Sequence, residues 1–456
     1  MTLVVVEEAP VKLVWDLVVV GAGPAGTATA LGALAADPSL SVLLVDRHDF
    51  PRDKPCGDGI APQVLDLLES VGVTGLLDDR TPVRRLALRR GELEVARDMA
   101  RPAWVVPRKV FDQRLVEAAQ AAGAHLVRHR VKSIDVRRDS VQVDHLAGAI
   151  VVGADGANSV VRRAIGERDH VAGNSALASS SAPSSSDEVG RDGSAERRWR
   201  APGEWPFFDR TAGRPVALAI RGYAPTPPER AARQEIVFGL GRQPSYAWSF
   251  DRGDGLSNVG YGEQLISSRP HPTRAELLER LEELLPGASA DGGDWRGHHL
   301  PLSSWSWRPR NGRVLLAGDA AGLINPMTGE GIYYAIASGL LAGQAAAAAI
   351  RSGNAGRGGE LLGSATGRWS GRTRAVTVVD AGAAYRRTAG RLLGSHLRHT
   401  ALTALLCRSG WVLDRGIRAS AADQGVFDDL VEIGLANGRI TPQLVRGLLK
   451  PFAGWP

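Results

Sequence analysis

Residues 16–20 (DLVVV) form an apolar run suited to a parallel strand covered on both faces, and they lead directly into Gly21-Ala22-Gly23-Pro24-Ala25-Gly26. The following TATALGALAA reads as a helix with small residues toward a sheet, and residues 41–45 (SVLLV) read as the next strand. A GxGxxG pattern in this strand–turn–helix context builds a nucleotide site. Gly21 permits the tight turn, Gly23 leaves room for a pyrophosphate beside free helix N–H groups, and Gly26 lets helix and strand pack closely. Asp46 follows the second strand, twenty residues after Gly26, where its carboxylate can accept hydrogen bonds from an adenosine ribose; Arg47 is its neighbour at that end. The fingerprint alone does not separate FAD from NAD.

A chain of 456 residues has length for two or three domains, and 44% apolar with 23% charged residues is ordinary globular composition. Only Cys56 and Cys407 are present, which excludes a disulfide framework and a four-thiolate metal site and suits a reducing, cytoplasmic compartment. No metal site is expected, since the adjacent His298 and His299 diverge on a strand or helix. The net charge of +6 is dispersed, which argues against nucleic-acid binding. The first fifteen residues lack a basic start and a small-residue cleavage pattern, so no signal peptide is expected. Residues 331–350 carry no charge, but their Ala/Gly content predicts a buried helix and not a transmembrane segment.

Helices are expected at 61–70 and 111–122, and buried strands at 149–153 and 313–317. Residues 176–200 form a serine-rich excursion, whereas 206–300 recover strand-like alternation. The organisation expected is a nucleotide-binding domain in three pieces, 1–80, 101–170 and 301–362; a mainly substrate-binding domain at 171–300; and a helical region at 363–456.

Two later motifs decide the cofactor. Val152-Gly153-Ala154-Asp155-Gly156-Ala157-Asn158-Ser159 resembles the ADG motif of FAD-dependent monooxygenases and reductases. Gly318-Asp319-Ala320-Ala321-Gly322 with Asn325-Pro326-Met327-Thr328-Gly329-Glu330-Gly331 resembles their GD motif. The resemblance implies an α/β, doubly wound FAD-binding domain of glutathione-reductase type, a second mixed β-sheet substrate domain and a helical C-terminal region. It implies that Asp155 belongs to the cofactor site, Asp319 holds the ribityl or pyrophosphate region, Pro326 and Gly329 border the isoalloxazine, and Arg108 helps hold the cofactor. If Gly331 begins the long helix, its free N–H groups point to where a reduced flavin is negative.

Two further stretches resemble the geranylgeranyl reductase family: PRDKPCGDGI at 51–60, and YAWSF at 246–250 followed by NVGYG at 258–262. That likeness implies reduction of a carbon–carbon double bond in a polyprenyl or other hydrophobic substrate, with NADH, NADPH or an electron-donor protein reducing the flavin. Tyr246, Trp248 and Phe250 alternate along a strand and can line an apolar slot; Cys56 and Tyr246 are candidates for proton relay or positioning. Asp251 stands where the family's motif has proline. An aromatic or polyketide hydroxylase of secondary metabolism, or a flavoprotein directing a non-redox cyclisation, would carry the same flavin residues. Mixed basic and apolar spacing near the C-terminus adds an expected peripheral membrane contact.

Overall fold

The computed structural model describes residues 14–137, 139–166, 215–241, 243–265, 270–304, 307–361 and 380–450. The serine-rich excursion and most of the N-terminal fifteen residues lie outside these. The chain opens as expected: β1 (Trp15–Val20), α1 (Pro24–Ala36) and β2 (Val42–Asp46) make a βαβ unit with β1 and β2 parallel. β3 (Gly59–Ile60) and α2 (Pro62–Glu69) follow, then the antiparallel pair β4 (Val83–Arg90) and β5 (Leu93–Val105), and then α3 (Arg108–Ala121). β6 (His125–Arg128), β7 (Ile134–Val136), β8 (Val141–Val143) and β9 (Leu146–Gly153) lead to the short α4 (Val160–Ala164).

After the undescribed stretch come β10 (Val216–Pro225), β11 (Arg233–Phe238), β12 (Ser245–Asp251), β13 (Leu256–Gln264), α5 (Arg274–Leu284) and β14 (Gly293–Pro301). β15 (Val314–Leu316) returns to the first sheet, and α6 (Ile332–Leu361) is the long helix. The C-terminal region holds α7 (Ala381–Leu392), α8 (Gly394–Leu406), α9 (Gly410–Ala422), α10 (Gln424–Leu435) and α11 (Pro442–Leu449).

One seven-stranded sheet runs β6-β2-β1-β9-β8-β7, with β15 also pairing with β9; the strands around β1 are parallel and buried on both faces. The other runs β14-β10-β13-β12-β11-β4-β5-β3 and is mixed, because β11 pairs parallel to β4 among antiparallel neighbours. This second sheet reaches back before residue 171. It takes in residues 101–105, which complete β5 because that strand stays paired to β4 at Ala103 and to β3 at Trp104 and Val105.

The uncharged run is a buried helix, with 83% of its most apolar window inside the protein. Its composition follows from how closely α1 and α6 pack. A Cβ on Gly339 would lie 2.3 Å from the Ala25 carbonyl oxygen, and one on Gly343 2.0 Å from that of Thr29. Larger residues would hold the helices apart, so Ala and Gly here serve packing against α1.

Candidate functional site

The glycine turn is assembled by backbone contact. Gly21 sits at φ +101°, and a Cβ there would lie 2.4 Å from the Ala154 carbonyl oxygen, so the fingerprint and the ADG loop are in direct contact. A Cβ on Gly26 would fall 1.7 Å from the Gly21 carbonyl oxygen. Gly23 differs: its nearest neighbours are the ends of side chains, with Arg52 Nη2 at 3.0 Å and Arg108 Nη2 at 3.9 Å from the Cβ position. No side chain caps α1, leaving its first N–H groups for a ligand beside two guanidinium groups.

Asp46 lies at the end of β2, and its carboxylate also braces the turn. Oδ2 accepts the Ala22 N–H at 2.9 Å and Oδ1 accepts the His48 N–H at 3.0 Å. Arg47 lines the same cavity and donates to the His48 ring at 3.0 Å. Arg108 is buried and makes a two-pronged pair with Asp112, one turn along α3, at 2.6 and 2.7 Å. Asp155 Oδ2 accepts the Val160 N–H at 2.6 Å and so caps α4, while its Oδ1 is buried with no hydrogen-bond partner.

Asp319, in the 3-10 turn Gly318–Ala321, accepts a charged hydrogen bond from Lys54 Nζ at 2.7 Å. Burial works to raise its pKa, but the Lys54 ammonium holds the carboxyl below its ordinary value. Pro326, Gly329 and Gly331 line the cavity just before α6, in a loop fastened from two sides. Asn325 Nδ2 donates to the Ile433 carbonyl at 2.9 Å, Thr328 Oγ1 donates to that of Gly434 at 2.7 Å, and the Tyr246 hydroxyl donates to the Thr328 carbonyl.

One cavity of about 1370 Å³ joins Gly21, Gly23, Asp46, Arg47, Arg108, Asp155, Asp319, Pro326, Gly329 and Gly331 to the second sheet and the C-terminal helices; Gly26 lies behind it. Strand alternation sends Ala247 into the core with Leu277 and Leu281 of α5, and turns Tyr246, Trp248 and Phe250 to the cavity. Their rings form a ladder, with centroids 6.0 and 6.4 Å apart. Gly260 lies opposite Trp248 on β13, and a Cβ there would meet the indole at 2.3 Å. Asp251, the departure from the family's proline, holds the end of β12: Oδ2 accepts the Ala232 N–H at 2.6 Å and Oδ1 the Gly253 N–H at 2.9 Å.

Cys56 lines the cavity beneath this ladder. Burial pushes its thiol up to about 11, and its carbonyl accepts a hydrogen bond from Asn258 at 2.8 Å. It therefore carries its proton at neutral pH.

Several polar groups at the site had no role in the sequence reading. Lys54 and Asp58 lie in the 51–60 stretch, Asn258 in 258–262 and Glu330 in 325–331, so their place in these motifs is the signal that could have found them. Asp58 receives hydrogen bonds from the Tyr223 hydroxyl at 2.6 Å and Asn258 Nδ2 at 2.8 Å, and burial raises its pKa to about 6. Arg221, buried on β10, pairs with Asp53 at 2.5 Å. Its two-residue spacing from Tyr223 was the signal that both face the same way. Glu330 Oε1 accepts the Tyr333 N–H at 2.8 Å, and burial raises its carboxyl to about 7. His298 lines the cavity with Nε2 unpartnered, and burial holds it neutral by lowering its pKa to about 3. Among the described residues no cluster of side chains suits a metal ion.

FAD fits this site. The uncapped start of α1 and the guanidinium groups of Arg52 and Arg108 suit a pyrophosphate, and the free Asp155 Oδ1 suits a hydroxyl donor. Residues 15–186 match the family described as FAD binding domain. The chain is 32% identical over 359 residues to menaquinone reductase from Mycobacterium tuberculosis (strain ATCC 25618 / H37Rv), covering 72% of this chain and 76% of that protein. It is 26% identical over 366 residues to digeranylgeranylglycerophospholipid reductase from Methanosarcina acetivorans, covering 75% and 77%. Among solved structures, a geranylgeranyl bacteriochlorophyll reductase-like protein from Thermoplasma acidophilum shares the fold, with TM-score 0.63, 17% identity and 97% of each chain covered.

Proposed function

Because the chain belongs to the geranylgeranyl- and menaquinone-reductase type of FAD-dependent oxidoreductases, we propose that it reduces a carbon–carbon double bond in a polyprenyl or similarly apolar chain. The observation that carries this reading is the continuity of one cavity, from the flavin loop past the Tyr246–Trp248–Phe250 ladder into an apolar stretch between the C-terminal helices. An extended hydrocarbon suits such a shape. When bound and reduced, FAD supplies the hydride. NADH, NADPH or an electron-carrier protein supplies the electrons. The first sheet with its helices serves as the cofactor domain and the second sheet as the substrate domain.

The chain's own residues place the alkene, exclude water and provide the proton. The aromatic ladder forms a wall against which an isoprenoid stacks, and Asn258 fixes the Trp248 ring through Nε1 at 2.9 Å. The Tyr246 hydroxyl donates its hydrogen bond to the Thr328 carbonyl, and burial raises the pKa of its phenol, so its role is positioning. The Cys56 thiol, raised to about 11, is likewise assigned to packing and positioning. Glu330 is the better proton source: it lines the cavity, and a carboxyl near 7 can both hold and release a proton at neutral pH.

Gly21, Gly23, Asp46, Arg47 and Arg108 are assigned to the adenosine and pyrophosphate end, and Asp319, Pro326, Gly329 and Gly331 to the flavin end. The protein is assigned to the cytoplasm, in peripheral contact with a membrane. Oxygen-free reoxidation of the reduced enzyme by polyprenyl quinones, with the two added hydrogens found in the prenyl tail and not on the quinone ring, tests the reading; reoxidation only on admitting oxygen would favour hydroxylation.

A further inference from the structure

The cavity does not end at the aromatic ladder. It continues between α8, α9 and α11, where Leu402, Leu406, Trp411, Val445 and Leu449 both line it and are exposed at the surface. The cavity therefore opens to the outside among these helices. Leu405, half exposed at 50%, extends the patch on α8, where positions 402, 405 and 406 share a face. Six of the ten large apolar side chains exposed among the described residues gather here. A soluble surface seldom leaves such a patch without a partner.

The charges on these three helices are mainly positive. α8 and α11 contain no Asp or Glu, and the single acidic residue of α9, Asp414, is paired with Arg90 at 2.5 Å. Arg398, Arg408, Arg446 and Lys450 are exposed on or beside these helices, and the Arg415 guanidinium lies 5.0 Å from the centre of the Trp411 ring. The carboxylates nearby accept hydrogen bonds: Asp423 from the Gly425 and Val426 N–H groups, Asp428 from Gln424, Asp429 from Thr441 and Glu432 from Gln63, so the cations, most of them without a carboxylate beside them among the described residues, set the character of the face. A second copy of this chain, docked about a two-fold axis, would set these cations against one another. A surface with apolar depth and anionic headgroups complements both features, since arginine can lie along the apolar layer while its charge stays at the headgroups.

We propose that the face formed by α8, α9 and α11 seats on an anionic lipid bilayer, and that the cavity mouth within it admits substrate directly from the lipid. The docking stands on the surface alone, whereas the identity of what enters rests on the reductase reading above.

Sedimentation of the FAD-loaded protein with phosphatidylglycerol-containing vesicles, compared with pure phosphatidylcholine, tests the docking. Binding should favour the anionic vesicles and weaken as salt rises. Arg408→Gln with Arg446→Gln should weaken partitioning about thirtyfold, from the usual contribution of two surface cations. Leu405→Asp, outside the cavity lining, should also release the protein from vesicles while retaining FAD and the wild-type rate on detergent-dispersed polyprenyl quinone. With quinone held in vesicles, Leu405→Asp should be slow.

Absence of binding, equal binding to both vesicle types, or unaltered binding by the variants would overturn the docking. So would a wild-type dimer that Leu405→Asp disperses without any vesicle binding. Equal rates on vesicle-held quinone for wild type and Leu405→Asp would overturn the entry route. Variant-sensitive vesicle binding with no quinone reduction in either medium would support the docking and remove the reductase reading.

Discussion

Trp248 Nε1 donates a 2.9 Å hydrogen bond to Asn258 Oδ1, and the same amide reaches through Nδ2 to Asp58 and to the Cys56 carbonyl, both at 2.8 Å. The central indole of the aromatic ladder is thereby tied to the 54–58 loop, whose Lys54 bonds Asp319. The aromatic ladder, the 54–58 loop and Asp319 are linked through one set of hydrogen bonds.

Replacing Trp248 with Ala should therefore slow reductive turnover and loosen substrate binding while FAD is retained. The expected stability loss is about 3 kcal/mol, the low end for a buried Trp→Ala change, because one side of the ring faces the cavity. Trp248→Phe should keep much of the turnover. Single-turnover kinetics and urea unfolding on FAD-loaded variants check this; unchanged rate and affinity in Trp248→Ala would return the ladder to a purely packing role.

Asp46→Ala should lower FAD affinity about tenfold or more, since a carboxylate that braces the Ala22 N–H, and that is proposed to take the ribose hydroxyls, is lost. Gly23→Val should prevent loading, because its side chain would enter the space shared with Arg52 and Arg108. Flavin fluorescence titration of folded apoprotein measures both, and wild-type affinity in either variant would contradict the placement.

Glu330 predicts a definite pH response. With its carboxyl raised to about 7, it is protonated below that pH, so alkene reduction should decline as pH rises through about 7. Glu330→Gln should be slow and lose that limb. Linkage gives a second readout in the apoprotein. A carboxyl raised on folding contributes stability that is fully present below about 4.3, the ordinary Glu value, and is lost as pH rises through about 7. Thermal melts of apo Glu330→Gln should show a shallower decline across that window, and parallel pH profiles for variant and wild type would remove Glu330 as the proton source.

The opening βαβ unit was legible because strand, glycine turn, helix and acidic residue lie within a short stretch and the hydrophobic period changes between them. The face shared by Tyr246, Trp248 and Phe250 followed from alternation alone. The buried network was not legible: Tyr223 and Asp58 are 165 positions apart, and no local pattern pairs a phenol with a carboxyl over that span. Asp155 reads as a motif residue, yet its geometry as the cap of α4 depends on where that helix starts. The placement of β4 and β5 in the second sheet was also hidden, since strand patterns show which face is buried and not which partner is chosen. The C-terminal helices showed their basic and apolar texture, but their role as a cavity wall emerges only when they pack against β4, β5 and the 325–331 loop.

The most direct test of the central claim is an anaerobic single turnover of chemically reduced enzyme with a polyprenyl quinone, following the flavin optically and the product by mass spectrometry. Alkene reduction predicts flavin reoxidation without oxygen, matched one for one by a product whose two added hydrogens fragmentation places in the prenyl tail. A flavin that stays reduced until oxygen is admitted, with a product one oxygen heavier, would contradict it, as would added hydrogens found only on the quinone ring.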